Sequence, residues 1–160
     1  MKSTIRWPGL IATICLLLAG CNYDFPLTPK PTQRVDARLL GEWVVVDKDN
    51  QKEEHLSVRQ LDDTTYVVTF DGDIYRAFHS DYAGTAFMSV QDLNADNRKY
   101  VYFKWTLSPD NTQLTLVGVS NKVVPETTKD RGAIQKLIKA NLTNPALFGD
   151  PLTFTRKKPR

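Results

Sequence analysis

"KYVYFKWTL" (residues 99–107) alternates without a break. Val101, Phe103, Trp105 and Leu107 fall on one side; Tyr100, Tyr102, Lys104 and Thr106 fall on the other. Successive side chains of a strand point to opposite faces, so this period of two marks a strand with one face turned to a core. Working outward from it, the pattern recurs. "EWVVVD" (42–47) is short and β-branched, "EHLSVRQL" (54–61) sets Leu56 and Val58 on one face, and "TTYVVTF" (64–70) does the same with Tyr66, Val68 and Phe70. "DIYRAFHS" (73–80) follows Asp71-Gly72, a hairpin signal, and "AFMSVQDL" (86–93) follows Ala83-Gly84. "TQLTLVGVS" (112–120) follows the turn Pro109-Asp110-Asn111. Short strands separated by turn signals predict a mainly β fold: an antiparallel meander, built as a small barrel or a sandwich.

One segment departs from that period. In "DRGAIQKLIKANLTNP" (130–145), Ile134, Leu137, Ile138 and Leu142 form a stripe at helical spacing. Asp130 or Thr128 can cap the start, and Asn144-Pro145 ends the segment. A last strand, "PLTFTRK" (151–157), follows the helix. The stripe is expected to lie against the sheet or across a barrel end.

The chain has 160 residues, 41% hydrophobic and 24% charged, which suits one globular domain. Its net charge of +3 comes from scattered basic residues nearly matched by acids, so nothing points to nucleic acid. The first twenty residues differ in kind. Lys2 and Arg6 precede an uncharged, apolar run from Leu10 to Leu18, and Ala19 and Gly20 are small. That is the layout of a secretory signal. The run is about half the ~20 residues a spanning helix needs.

Leu18-Ala19-Gly20-Cys21 resembles the lipobox of bacterial lipoproteins. The resemblance implies that Cys21 carries a diacylglycerol, that residues 1–20 are removed, and that the new amino group is acylated. Cys15 would be lost with the signal, leaving no free thiol and no disulfide. More than one acyl chain gives stable attachment to a membrane. Asn22 in place of Asp implies, by the enterobacterial sorting rule, the outer membrane of the bacterial envelope, with the protein facing the periplasm. The expected organisation is therefore a signal peptide (1–20), a lipidated Cys21 with a proline-rich tether (21–38), and one β-rich domain (39–160). Pro26, Pro29 and Pro31 favour extended chain, so the tether is expected to hold the domain roughly 40 Å from the lipid. Tyr23 and Phe25 could either enter the bilayer interface or pack on the domain.

Gly41-Glu42-Trp43 resembles the Gly-x-Trp signature of lipocalins and related calycin barrels. There the Gly permits the turn into the barrel and the Trp plugs its closed end; Arg156 stands where a basic residue would cover Trp43. The segment Arg76 to Asn94 also resembles small bacterial lipoproteins without an assigned activity.

The densest chemistry lies in "RAFHSDYAG" (76–84), where Arg76, His79, Asp81 and Tyr82 form a candidate ligand or partner cluster. Strand geometry argues against a Ser-His-Asp triad from neighbours, because His79 and Ser80 point to opposite faces. His79 and Asp81 share a face, but a metal site needs more donors than the only other histidine, His55, would add. His79 is expected instead to bond a nearby carboxylate. "DLNADN" (92–97) begins like a calcium loop, yet its sixth position is Asn97 and its twelfth Phe103, so a polar turn is expected. No catalytic residues, metal or cofactor are expected. The basic tail Arg156 to Arg160 could touch anionic lipid. The function expected is a non-catalytic, periplasm-facing binding or interaction module whose partner is an envelope protein. The alternative is a lipocalin-like carrier of a small apolar molecule or lipid, lined by Tyr66, Phe70, Phe78, Phe87, Phe103 and Trp105; an envelope hydrolase ranks last.

Overall fold

The structure is a computed structural model that describes residues 22–46 and 51–158. The expected signal segment, Cys21, the end of the first predicted strand at Asp47 and the last two residues of the basic tail lie outside the described residues. The elements run β1 (Gly41–Val46), β2 (Glu53–Gln60), β3 (Thr65–Phe70), β4 (Asp73–His79), β5 (Phe87–Asp92), β6 (Tyr100–Leu107), β7 (Gln113–Val119), α1 (Arg131–Ala140) and β8 (Phe148–Arg156). Each strand pairs antiparallel with the next, and β8 returns to β1 with Trp43 opposite Arg156. The sheet is thus a closed barrel, and of barrel and sandwich only the barrel is present. Closure leaves no edge strand to be covered.

The hairpins follow the turn chemistry. Asp71 and Gly72 both take positive φ (45° and 99°), as do Ala83 and Gly84 (49° and 79°), the pattern of a two-residue turn matched to strand twist. Tyr82 and Thr85 exchange backbone hydrogen bonds of 3.0 Å across the second turn. In the polar loop after β5, Asp92 accepts from the Asn94 backbone N–H and Asn94 accepts from that of Ile74, so those side chains hold the loop together.

α1 is shorter than its sequence stripe. The Asp130 carboxylate caps it, accepting from Ala133 N–H at 2.7 Å. It ends at Ala140, because Asn144 and Pro145 open a separate 3-10 turn, Pro145–Leu147. β8 starts at Phe148, earlier than the sequence pattern indicates, after an irregularity between Val117 and Val119 of β7.

Two apolar cores result. The first fills the barrel around Trp43, Leu56, Val58, Tyr66, Leu114 and Phe154. The second lies largely outside it. Phe87, Ser89 and Tyr102 point outward from β5 and β6, yet all three are fully buried. Ile134 and Ile138 of α1 cover part of this outer face. The rest is covered by residues 22–36, where the structure departs from the expected spacer. Tyr23 is 0% exposed, stacks on Tyr102 with ring centroids 4.5 Å apart, and donates from its hydroxyl to the Val124 carbonyl at 2.8 Å. Its backbone exchanges two 2.8 Å bonds with Tyr100. Leu27 N–H donates to Ser89 Oγ, Arg131 donates to the Pro26 carbonyl, and Gln135 to the Leu27 carbonyl. Lys99 and Lys129 both pair with Asp24. The segment bends repeatedly, at 24–25, 27–30 and 32–33, and lies as a strap along the barrel. The apolar outer face of β5 and β6 supplies the free energy that holds it there. Tyr23 and Phe25 therefore meet the domain: Phe25 lies under the Arg131 guanidinium, 5.5 Å from its ring centre.

Candidate functional site: the barrel interior

Chain direction assigns the two barrel ends. The loops 61–64, 80–86 and 108–112 share one end with Gly41 and Arg156, and the loop 93–99 and the segment 120–147 share the other. The first end is closed. The turn Ala37–Leu39 crosses it, Leu39 is buried, and the Trp43 indole N–H donates to the Leu39 carbonyl at 3.0 Å. The Arg156 guanidinium lies 4.0 Å from the Trp43 ring centre and donates to the carbonyls of Asn111, Leu40 and Arg38. A planar five-donor fork can bind three carbonyls and stack on an indole at once; an ammonium cannot. Gly41 sits at φ 131°, and a Cβ there would fall 2.9 Å from Arg156 Nη1, so the glycine admits the arginine. The Gly-x-Trp stretch and Arg156 are thus joined in one closure.

Above this floor the barrel holds an apolar cavity of about 90 Å³. Val68, Phe70, Met88, Phe103, Trp105 and Leu116 are among its walls, and Gly118 and Ala77 leave room where larger side chains would fill it. The lining reaches the exposed Asp150 at the opposite end, where the cavity meets solvent. A water takes about 30 Å³ of liquid, so the space suits a slim group of roughly three water volumes. Of the six aromatics expected to line a cavity, Tyr66, Phe70, Phe103 and Trp105 do so. Phe78 and Phe87 do not: the pleat turns them outward, and Phe87 belongs to the outer core.

His79 occupies the inner face of β4 at the closed end and is fully buried. Its partner is not a carboxylate, as expected, but Tyr66: hydroxyl and Nε2 are 2.8 Å apart. Tyr66 also accepts from the Asp36 backbone N–H at 2.6 Å. Burial pushes the Tyr66 hydroxyl up to about 12 and pulls His79 below its ordinary value, against the raising influence of Asp81 and Asp36. The His79 ring lies beside Trp105, their centroids 5.4 Å apart.

The four clustered residues of the sequence do not form one site. Arg76 is exposed on the outer face, 6.0 Å from the Phe78 ring centre. His79 is enclosed, Asp81 takes a hydrogen bond from Gln33 of the strap, and Tyr82 belongs to a hairpin turn. Sequence neighbours on a strand are sent to opposite faces, and the strap covers part of what remains. Among the described residues, no three His, Cys, Asp or Glu side chains are grouped so as to hold a metal ion, and no helix is long and apolar enough to cross a membrane. No family model, curated protein or solved structure matches the chain. The cavity, the Trp43–Arg156 closure and the strap therefore carry the functional reading.

Proposed function

We propose that this chain is a lipid-anchored protein of the bacterial envelope, attached through Cys21, whose barrel binds a slim apolar ligand without chemical conversion. The observation that carries the reading is the apolar cavity of about 90 Å³, closed at one end and reaching solvent at the other. Drug-sized pockets run to roughly 300–1,000 Å³, so this volume favours a single hydrocarbon chain over a bulky ring system. Asn22 in the second position favours the outer membrane, facing the periplasm.

The strap adds a spatial consequence. Tyr23 is held at Tyr100, the first residue of β6, at the solvent-reaching end of the barrel. Cys21 lies two residues before it, within about 7 Å of extended chain. An acylated Cys21 would therefore hold the cavity mouth close to the bilayer, not tens of ångströms away. A carrier that takes its ligand from lipid gains from that placement.

Native mass spectrometry of the protein released gently from its own envelope tests the reading. A co-purifying hydrocarbon-chain mass is expected, and Gly118→Leu, which fills the cavity, should remove it. A bare chain in both proteins, across several extraction conditions, would reject ligand binding.

A further inference from the structure

Every residue that lines the cavity lies on a strand of the barrel except Leu39, which belongs to the turn Ala37–Leu39 across the closed end. The strands build walls along the barrel. β7 supplies Leu114, Leu116 and Gly118 from the closed end towards the open one, and β8 supplies Phe154, Leu152 and Asp150 beside them. Side chains on a strand stand across the barrel, so they set the width of the space. Leu39 comes from the floor, is 2% exposed, and sets the depth. Beneath it the Trp43 indole N–H and the Arg156 guanidinium donate to carbonyls of the floor itself.

The turn keeps its shape without help from the Leu39 side chain. Leu39 N–H donates to the Asp36 carbonyl at 3.0 Å, and Leu40 N–H to that of Ala37 at 3.2 Å. Arg38 N–H donates to Asp36 Oδ1 at 2.9 Å, and Arg156 Nη1 holds the Leu40 carbonyl at 2.8 Å. The side chain at position 39 can therefore shorten while the floor stays in place.

We propose that Leu39 is the end-stop of this cavity: the ligand is an unbranched hydrocarbon chain that enters methyl end first, comes to rest on Leu39, and is selected by its length. This rests on the apolar-ligand reading above. The walls are almost wholly apolar, and the one charged lining residue, Asp150, is exposed at the open end. Burying a polar head among such walls without a hydrogen bond is costly, so the head stays at the mouth.

The test uses the full chain in lipid nanodiscs and linear 1-alkanols from 1-butanol to 1-decanol. Met88, a wall residue, reports occupancy through its methyl NMR signal. Titration of empty nanodiscs fixes the free alkanol concentration. Affinity should rise about fourfold per added carbon while each methylene is newly buried, and stop rising once the chain end meets Leu39. Leu39→Ala should move that break roughly two to three carbons longer, and Leu39→Val about one carbon longer, because the space left by the removed carbons extends the cavity. Leu152→Ala removes the same group from a side wall and should leave the break where it is. A break that moves equally in Leu39→Ala and Leu152→Ala would overturn the end-stop and leave the apolar cavity standing. So would an unmoved break in both Leu39 variants while alkanols still bind. If no alkanol shifts the Met88 signal of the wild type, the cavity reading falls and this proposal with it. Should the Leu39 variants melt early, nuclear Overhauser contacts in the wild type decide. The terminal methyl of the bound alkanol must contact the Leu39 methyls; contacts confined to Leu152 and the mouth reject the end-stop.

Discussion

Replacing Tyr23 with Ala separates a structural strap from a free tether. Tyr23 is fully buried, stacked on Tyr102, and bonded to Val124. Truncating a buried aromatic to Ala costs about 3–5 kcal/mol. Two effects act on that figure here. The Val124 carbonyl loses its donor, which adds to it. The strap can instead detach locally, which caps the loss at the free energy of docking it. About 3 kcal/mol is the expected outcome, and Tyr23→Phe, which keeps the stack and loses the hydroxyl, should cost about 1 kcal/mol. Urea unfolding of the acyl-free chain from Asn22, followed by circular dichroism, reads both. With a slope of about 1–3 kcal/mol per molar, the Tyr23→Ala midpoint should fall by roughly 1–3 M. Substitutions in a solvated spacer stay within about 0.5 kcal/mol. A Tyr23→Ala midpoint indistinguishable from wild type would refute the docked strap, and with it the short distance between Cys21 and the cavity mouth.

The remaining expectations concern the closed end and the anchor. Arg156→Lys keeps the charge but loses the fork that binds three carbonyls; thermal and urea unfolding should show a loss of about 2–3 kcal/mol, and an unchanged midpoint would argue against the closure. Burial lowers the His79 pKa, so the unfolded chain binds a proton that the folded one resists. Stability is therefore complete above the unfolded value of 6.5 and declines as pH falls below it, by at most about 1.4 kcal/mol per pH unit. His79→Gln should flatten that slope between pH 6.5 and 5. Asp36, held below its ordinary 3.8 by its hydrogen bond from Arg38, stabilises at and above that pH and loses its contribution only in more acid solution, so the two windows separate. Labelled palmitate should enter the wild type and not Cys21→Ser; equal labelling of both would remove the anchor.

The inner face of the barrel was legible residue by residue. Val101, Phe103, Trp105 and Leu107 alternate with polar or amphipathic neighbours, and side-chain direction along a strand depends only on position. Gly41, Trp43 and Arg156 were legible through resemblance, although nothing local says that a guanidinium 113 positions along covers the indole (43 to 156). The candidate residues at 76–82 are divided between faces for the same periodic reason that makes the strands legible. Neighbours in sequence face opposite ways, and His79 found Tyr66, thirteen residues earlier, through the pairing of β3 with β4.

By itself, the sequence determined the strands, their turns and the helix cap at Asp130, because each depends on residues a few positions apart. Only the tertiary structure decided between barrel and sandwich. That choice rests on β8 meeting β1, a contact between distant parts of the chain. It also turned an apparent tether into a strap: Pro26, Pro29 and Pro31 favour extended chain, yet residues 22–36 bend repeatedly along the barrel, because whether such a segment stands in water or lies on protein depends on the apolar face it meets. Here that face is Phe87 and Tyr102, on strands whose inner sides were already occupied.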